Sequence, residues 1–240
     1  MKDAIVIIPT YNEIENIEAI IRTVFSQPKS FDILVVDDNS PDLTGLKVAE
    51  LQKEFSERLF LQTRKEKSGL GTAYIHGFKW CLDKTYNYIF EMDADFSHDP
   101  KDLIKLYNAC DIDGADMAIG SRYVKGVNVV NWPMSRVLLS YIASIYVRII
   151  TGMKIYDTTA GFVCYKRQVL ETLNLDTIKF VGYAFQIEMK FKTYLKKFKI
   201  VEIPVIFTDR TKGESKLSSG IISEAIFGVI SMRLKSIFKK

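Results

Sequence analysis

The chain has 240 residues, of which 48% are hydrophobic and 26% charged, and its net charge is +4 at pH 7. This is an ordinary globular composition, and the modest charge without any nucleic-acid-binding motif argues against a nucleic-acid partner. The three cysteines Cys81, Cys110 and Cys164 lie far apart, which predicts free thiols in a reducing compartment. We find no uninterrupted apolar run of ~18 residues and no signal-peptide pattern, so we expect a cytoplasmic protein without a membrane-spanning helix.

The first half of the chain alternates between two apolar periods. Short runs rich in β-branched residues predict strands buried on both faces at 4–8 and 33–36, with weaker candidates at 59–63, 88–92 and 117–120. Helical patterns lie between them, at 13–26, 44–57, 72–84 and 100–109. Strands that alternate with helices predict an α/β fold whose largely parallel sheet is flanked by helices on both faces.

Polar segments follow three of these predicted strands. "PTYNE" follows the first strand, "DDNSPD" the second and "DADFSHD" the fourth. Each segment alone could be a turn or a helix cap. The carboxyl ends of parallel strands meet at one sheet edge, however, and three such segments there indicate a ligand site. The glycine pair in "KSGLGTAYIHG" lacks the full dinucleotide or P-loop fingerprint, which argues against both of those classes.

The pattern changes after about residue 125. Residues 133–152 form a long apolar segment that contains Arg136 and Arg148, and residues 221–240 form a second apolar segment that ends in lysines. Both predict amphipathic helices that either pack on the core or lie in a membrane interface. No linker rich in Gly, Pro or Ser separates the halves, so we expect one domain over 1–220, which includes the helix at 133–152, and a C-terminal amphipathic helix over 221–240.

The two aspartates of "DADFSHD" raise an electrostatic question. If the strand continues through Asp93 and Asp95, both side chains point to the same side. Two carboxylates ~4–6 Å apart repel by roughly 3–4 kcal/mol at an effective dielectric near 20. A proton, a lysine or arginine, or a divalent cation would offset that repulsion. Oxygen ligands of this kind suit Mg²⁺ or Mn²⁺, which binds through one or two carboxylates together with substrate phosphates.

A metal-bound diphosphate would narrow the reaction class, because a nucleoside diphosphate is a good leaving group once its charge is neutralised. The other polar segments are placed to hold the nucleoside. Glu13 or Asp38 can accept hydrogen bonds from ring N–H groups or ribose hydroxyls, and Tyr11 can stack on a base. A capping role for Asn12 and Asp42 is an equally good interpretation of those two residues.

Seven motifs occur in order along the chain: "PTYNE", "VVDDNSPD", "LGTAYIHG", "MDADFSHDP", "GSRYVKG", "DTTAGF" and "DRTKGESKL". Together they resemble the dolichol-phosphate mannose synthases, also called polyprenol monophosphomannose synthases. These are inverting glycosyltransferases of family 2 with a GT-A fold, in which a mixed, mostly parallel sheet is flanked by helices. The resemblance runs from about residue 4 to residue 220, so it covers nearly the whole chain.

The resemblance implies a binding site for GDP-mannose. On its nucleotide side, the residues expected to contact the GDP part are Pro9, Tyr11, Glu13, Val36 and Asp38. At the diphosphate and sugar, the expected residues are Asp93, Ala94, Asp95, Arg122, Arg210 and Lys216. Asp93 and Asp95 would hold Mg²⁺ or Mn²⁺, while Asp95, Arg122, Arg210 and Lys216 would carry the catalysis.

The implied acceptor is a polyprenyl phosphate, whose phosphate Arg136 and Ser140 would bind. This phosphate is already anionic, so it can attack the anomeric carbon without a strong general base and give a β-linked mannosyl phosphate. The resemblance also implies peripheral attachment to the cytoplasmic face of a membrane, through the amphipathic helices or a separate membrane-anchoring subunit. Ser97 replaces a glutamine that is a further metal ligand in some members, which leaves the third ligand open. Glu188 could orient site residues or cap a loop, and Asp157 could serve the site or the fold.

Three alternatives keep parts of this interpretation. The donor could be a UDP-sugar, with transfer of glucose or an N-acetylhexosamine to the same lipid phosphate. The acceptor could be a glycan hydroxyl, but that chemistry needs a general base, and the sequence offers no distinct candidate. The chain could also be a non-catalytic nucleotide-binding module of a membrane complex, although the intact Asp93, Asp95, Arg122, Arg210 and Lys216 argue against it.

Overall fold

The computed structural model describes residues 3–209 and 219–238. The three cysteines are buried free thiols, as predicted. The strands of the main sheet are β1 (Ala4–Thr10), β2 (Asp32–Asp37), β3 (Leu59–Thr63), β4 (Tyr88–Glu91), β5 (Met117–Ser121), β7 (Val163–Lys166) and β8 (Ile200–Pro204). Two shorter strands pair with each other: β6 (Val129–Val130) and β9 (Phe207–Thr208).

The helices alternate with these strands through the first half of the chain, as the sequence predicted. Their bounds are α1 (Ile17–Phe25), α2 (Thr44–Leu51), α3 (Leu70–Leu82), α4 (Leu103–Asp111), α5 (Met134–Thr151), α6 (Arg167–Thr172), α7 (Tyr183–Leu195) and α8 (Ser219–Phe238). The first helix begins four residues later than predicted, because residues 13–16 form a turn in which the Ile17 N–H donates to the Glu13 carbonyl.

The sheet has the order β3-β2-β1-β4-β7-β5-β8. Strand β7 runs antiparallel to its neighbours β4 and β5, and the other pairs are parallel. The predicted α/β fold with a mixed, mostly parallel sheet is therefore confirmed. The sequence interpretation missed β7 and β8, which fall beyond the regular strand–helix alternation of the first half.

Hydrophobic clusters cover both faces of the sheet, and the alternation along β1 shows how they divide. Ile5 and Ile7 point into the cluster that packs against α3 and α7. Val6 and Ile8 point into the opposite cluster, which packs against α1, α2 and α4. All four side chains are fully buried. The unbroken β-branched run therefore forms a strand buried on both faces, as expected for the centre of a parallel sheet.

Helices α5 and α8 pack against each other at one side of the sheet, with Val147 and Val229 buried in the same hydrophobic cluster. Much of α5 remains outside the core. By length and composition alone, α5 could cross a membrane: its mean hydropathy is 1.3, and 17% of it is buried. The sequence expectation of no spanning helix rested on the arginines that interrupt this segment. Helix α8 begins at Ser219, so the predicted domain boundary at 220 falls within its first turn.

Candidate active site

A cavity of about 790 Å³ opens at the carboxyl ends of the parallel strands. The segments that follow β1, β2 and β4 all contribute to its wall, so the structure brings together the three polar segments that the sequence placed at one edge. Helices α5 and α7 form the opposite side. Most of the predicted site residues line this cavity: Pro9, Tyr11, Glu13, Asp38, Asp93, Ala94, Asp95, Arg122, Arg136 and Ser140.

The structure does not place three other predicted site residues in the cavity wall: one is buried in the core, and two fall outside the described part of the chain. Val36 is fully buried within β2 and belongs to the hydrophobic cluster beneath α3, so its side chain lies in the core and not in the cavity wall. Arg210 and Lys216 lie outside the described residues. The resemblance remains the basis for assigning roles to those two cations.

The nucleotide end of the cavity contains a buried ion pair that the sequence interpretation missed. Arg64 donates to both oxygens of Asp38, at 2.5 and 2.6 Å, and to the Thr72 hydroxyl at 2.7 Å. Asp38 is thereby fixed in orientation, because a bidentate guanidinium–carboxylate pair allows little rotation. Nearby, the Lys67 ammonium lies 4.4 Å from the centre of the Tyr11 ring and lines the cavity. Both cations belong to "TRKEKSGLG", a cation-rich stretch beside the glycine pair that could have signalled them.

The other aspartates of "DDNSPD" serve the fold. Asp37 accepts hydrogen bonds from the Thr10 and Ser40 hydroxyls, at 2.7 and 2.6 Å, and so ties the β1 and β2 ends together. Asp42 accepts from the Ile14 and Thr44 backbone N–H groups, both at 3.0 Å. The capping interpretation of Asp42 is therefore the one that the structure supports.

The carboxylate pair lies in a turn beyond β4. The strand ends at Glu91, so the two side chains are not held by regular strand geometry, in contrast to the sequence expectation. Asp93 Oδ1 accepts from the Tyr74 hydroxyl at 3.4 Å, and Asp95 Oδ1 accepts from the Ser97 N–H at 3.0 Å. Phe96, which follows Asp95, has a φ of 60°, and this left-handed residue makes the turn tight. Both carboxylates still line the same cavity.

No group of three or more acidic, histidine or cysteine ligands occurs within the part of the chain that the structure describes. Asp93 and Asp95 thus offer a small, all-oxygen donor set, which fits a hard divalent cation that takes its other ligands from phosphates and water. His98 is not such a ligand, because its Nδ1 accepts from the Asp93 N–H at 3.3 Å and its ring stacks on Phe162. Burial lowers the pKa of His98, which keeps it neutral.

Arg122 is held rigidly at the edge of the cavity. Its guanidinium donates to both oxygens of Asp157, at 2.6 and 2.7 Å, and to the Thr159 hydroxyl at 2.9 Å. The rings of Trp132 and Phe207 also lie within 5.5 Å of it. Burial alone would raise the pKa of Asp157, but the Arg122 charge and hydrogen bonds outweigh it and lower that pKa. Asp157 therefore orients Arg122, which resolves the choice that the sequence left open.

The expected acceptor residues lie on one face of α5. Arg136 and Ser140 are four residues apart, so they are neighbours on the helix surface, and both line the cavity. The Arg136 guanidinium donates to Asp209 at 2.8 Å and lies 4.1 Å from the centre of the Trp132 ring. Beyond them the cavity wall becomes apolar, formed on α5 by Leu139, Ile142, Ala143, Tyr146 and Val147.

Glu188 on α7 caps the loop that precedes its own helix. Its Oε2 accepts from the backbone N–H groups of Lys179 and Phe180, at 2.8 and 3.1 Å. The next residues of that loop, Val181 and Gly182, line the cavity. Glu188 therefore caps this loop, and by doing so it also positions a part of the cavity wall. A single set of contacts accounts for both roles that the sequence left open.

The mixed, mostly parallel sheet and the cavity at its carboxyl edge match the GT-A fold that the motifs led us to expect. The family model described as Glycosyl transferase family 2 matches residues 5–173. The chain belongs to glycosyltransferase family 2, as its motifs predicted, and it is a glycosyltransferase.

Curated relatives match over nearly the whole chain. A polyprenol monophosphomannose synthase of Mycolicibacterium smegmatis is 46% identical over 94% of this chain and 84% of its own length. An undecaprenyl-phosphate mannosyltransferase of Micrococcus luteus is 44% identical over 93% of this chain and 90% of its own length. A dolichol-phosphate mannosyltransferase of Pyrococcus furiosus is 40% identical over 91% of this chain and 60% of its own length.

Solved structures share the fold at low sequence identity. A glucosyl-3-phosphoglycerate synthase from Mycobacterium tuberculosis superposes with a TM-score of 0.70 at 15% identity, over 97% of this chain and 80% of that one. A mannosyltransferase from Pyrobaculum calidifontis, solved with GDP-Man and Mn²⁺, gives a TM-score of 0.63 at 16% identity, over 99% of this chain and 64% of that one. Both confirm the fold.

Proposed function

We propose that this glycosyltransferase transfers mannose from GDP-mannose to a polyprenyl phosphate, with inversion, and gives a polyprenyl β-mannosyl phosphate. One observation carries the proposal: a single cavity contains two different binding regions. The first consists of the polar strand ends with Asp93 and Asp95. The second consists of Arg136 and Ser140 on α5 and the apolar wall beyond them. A nucleotide sugar needs the first part and a lipid phosphate needs the second. The names of relatives at 40–46% identity describe the same donor sugar and the same class of acceptor.

The donor diphosphate lies at the carboxylate pair. Asp93 and Asp95 would hold Mg²⁺ or Mn²⁺, which supplies positive charge that stabilises the departing GDP. At the nucleotide end, Asp38 accepts from a ribose hydroxyl or a ring N–H, in an orientation fixed by Arg64. Lys67 lies over the Tyr11 ring, close to where a base that stacks on Tyr11 would lie. From the family resemblance, Arg210 and Lys216 close over the pyrophosphate.

The acceptor phosphate approaches from α5. Arg136 and Ser140 bind it and orient one of its oxygens toward the anomeric carbon, while Arg122, fixed by Asp157, adds positive charge at the cavity edge. That oxygen forms the new bond as the bond to GDP breaks on the opposite side, which inverts the anomeric centre. The nucleophile is already ionised, so the protein's contribution is to hold two polyanions together in line.

The lipid acceptor requires access to a membrane, and the exposed apolar side chains of α5 and α8 suit that role. Met134 and Leu138 on α5 are 69% and 52% exposed, and Phe227 and Leu234 on α8 are 74% and 50% exposed. Such faces on adjacent helices partition into the headgroup region of a bilayer. The protein then lies peripherally on the cytoplasmic face, by itself or with a separate anchoring subunit.

A transfer assay tests the proposed reaction. Purified protein is incubated with radiolabelled GDP-mannose, Mg²⁺ or Mn²⁺ and a polyprenyl phosphate, and label is counted in the organic phase. We expect lipid-linked label that disappears with EDTA or without the lipid. A parallel arm with UDP-glucose separates donor choice from activity, since label from that donor alone would refute the mannosyl assignment. No label from GDP-mannose, in vesicles as well as in detergent, would refute transfer of mannose to a polyprenyl phosphate by this chain alone.

A further inference from the structure

The floor of the cavity contains a glutamine that the sequence interpretation did not assign. Gln186 on α7 lines the cavity although only 3% of it is exposed. Its amide Nε2 donates to Glu91 Oε2 at 2.7 Å, and its Oε1 accepts from Lys190 Nζ at 3.2 Å. Gln186 and Lys190 are four residues apart, so both face the sheet from the same side of the helix.

Lys190 determines which way this amide points. Three acceptors surround its buried ammonium: the Ala160 carbonyl at 2.6 Å, Gln186 Oε1 at 3.2 Å and the Gln186 carbonyl at 3.4 Å. Three acceptors match the three N–H groups of a charged lysine, which can only donate. The oxygen of the amide must therefore face Lys190, and its nitrogen must face Glu91.

This arrangement uses half of the amide's hydrogen-bonding capacity. A glutamine side chain has two N–H donors and an oxygen with two lone pairs. Among the described residues, Glu91 takes one donor and Lys190 takes one lone pair, which leaves one donor and one acceptor. Each amide atom thus has one protein partner, and its remaining donor or acceptor capacity is available to a ligand in the cavity. A sugar hydroxyl is both a donor and an acceptor, so it can satisfy both.

Gly161 keeps the amide accessible from the cavity. A methyl group at that position would lie 3.8 Å from Gln186 Nε2 and 3.8 Å from the His98 ring, so glycine leaves the space between these two side chains unfilled. His98 accepts from the Asp93 N–H at 3.3 Å, which places this space beside the carboxylate pair. The transferred hexose must lie beside the diphosphate, and therefore next to this gap.

We propose that Gln186 binds a hydroxyl of the hexose that is transferred, and that Lys190 and Glu91 act as positioning residues that orient its amide. This inference rests on the proposed function, because it requires a nucleotide sugar in the cavity. It assigns recognition of the hexose to α7, separate from recognition of the nucleoside at the β1 and β2 ends.

The test compares the affinities for GDP and GDP-mannose, measured by calorimetry on the wild type and on Gln186→Met. Methionine has a similar shape and no hydrogen-bonding amide. We expect unchanged GDP affinity and about a three- to tenfold fall in the ratio of the two affinities, the size of one hydrogen bond to a neutral group. Gln168→Met is the matched control, since that glutamine bonds Asp116 at 2.7 Å away from the cavity. An unchanged ratio, or an equal loss for both ligands, would overturn the proposal.

Donor analogues with each mannose hydroxyl replaced in turn by hydrogen identify the contact. We expect one analogue to bind the wild type more weakly than GDP-mannose does, but to bind Gln186→Met as well as GDP-mannose does. The reason is that removing the hydroxyl and removing the amide delete the same hydrogen bond. If every analogue lost the same affinity in both proteins, the contact between Gln186 and a mannose hydroxyl would be refuted. Lys190→Met should reduce the affinity ratio with Gln186 intact, and an unchanged ratio would disprove the orienting role.

Two controls separate this inference from the function on which it rests. Thermal unfolding checks each variant, and Gln186→Asn, which shortens the side chain but keeps the amide, replaces Gln186→Met if the latter does not fold. UDP and UDP-glucose are measured in parallel. A wild type that binds only the UDP pair would refute the donor, yet loss of its sugar preference in Gln186→Met would still support Gln186. A wild type that binds neither pair would refute both proposals.

Discussion

Replacement of Asp157 by asparagine would test the buried ion pair that orients Arg122. Asp157 is fully buried and accepts from the Arg122 guanidinium at 2.6 and 2.7 Å and from the Arg122 backbone N–H at 2.9 Å. Asparagine has nearly the same shape but removes the negative charge, and its NH₂ group would face a guanidinium that can only donate. Breaking a buried pair from one side leaves an uncompensated charge, which costs about 3–5 kcal/mol.

Urea unfolding at pH 7 measures this loss, and Asp176→Asn is the control, because the Lys79–Asp176 pair is exposed and such pairs contribute little. A loss below about 1 kcal/mol for Asp157→Asn would refute the reasoning. Turnover should also fall, because Arg122 lines the cavity.

The charge and hydrogen bonds of Arg122 outweigh burial and hold the pKa of Asp157 below its ordinary value of 3.8. The stability that the carboxylate contributes is therefore present above that value and is lost as pH falls through the lower folded-state pKa. A wild-type advantage that already declines near neutral pH would contradict this assignment.

Three further predictions concern the metal, the nucleotide and the membrane. Asp95→Ala should abolish metal-dependent transfer without unfolding the protein, and near wild-type turnover would disprove its role as a metal ligand. Arg64→Met should weaken GDP binding by about tenfold in calorimetry, because Asp38 loses the pair that orients it, whereas unchanged affinity would refute this orienting role of Arg64. Met134→Asp combined with Leu138→Asp should reduce co-sedimentation with anionic liposomes. Ile112→Asp is the control, because Ile112 is 71% exposed at the end of α4, away from α5 and α8. Equal effects of the two changes would contradict a membrane-facing α5.

The sequence and the structure agree best where one short segment contains all the information. The β-branched runs at 4–8 and 33–36 form central strands because a residue buried on both faces of a sheet must be apolar whatever its neighbours are. The polar segments after those strands reach one edge because parallel strands end on the same side. Fold class, family and most cavity residues follow from these local features and from the order of the motifs.

The missed residues depend on partners that are distant along the chain. Arg64 belongs to the site because it pairs with the carboxylate of Asp38, which is 26 residues away in sequence. The two residues meet only because β2 and β3 end side by side. Gln186 reaches the floor of the cavity because Glu91 and Lys190 fix it from two different elements. Val36 shows the converse, since its place in the motif suggested a ligand contact while its position within β2 directs it into the core.

The fold class, the family and the edge of the sheet where the chemistry lies can therefore be read from the sequence, because apolar periodicity and strand-end polarity are local properties. The pairing of charges, the set of carboxylates that line the cavity and the orientation of the Gln186 amide depend on the folded chain. Those outcomes depend on hydrogen-bond geometry between segments up to 95 residues apart, such as Gln186 and Glu91, and burial makes that geometry energetically decisive.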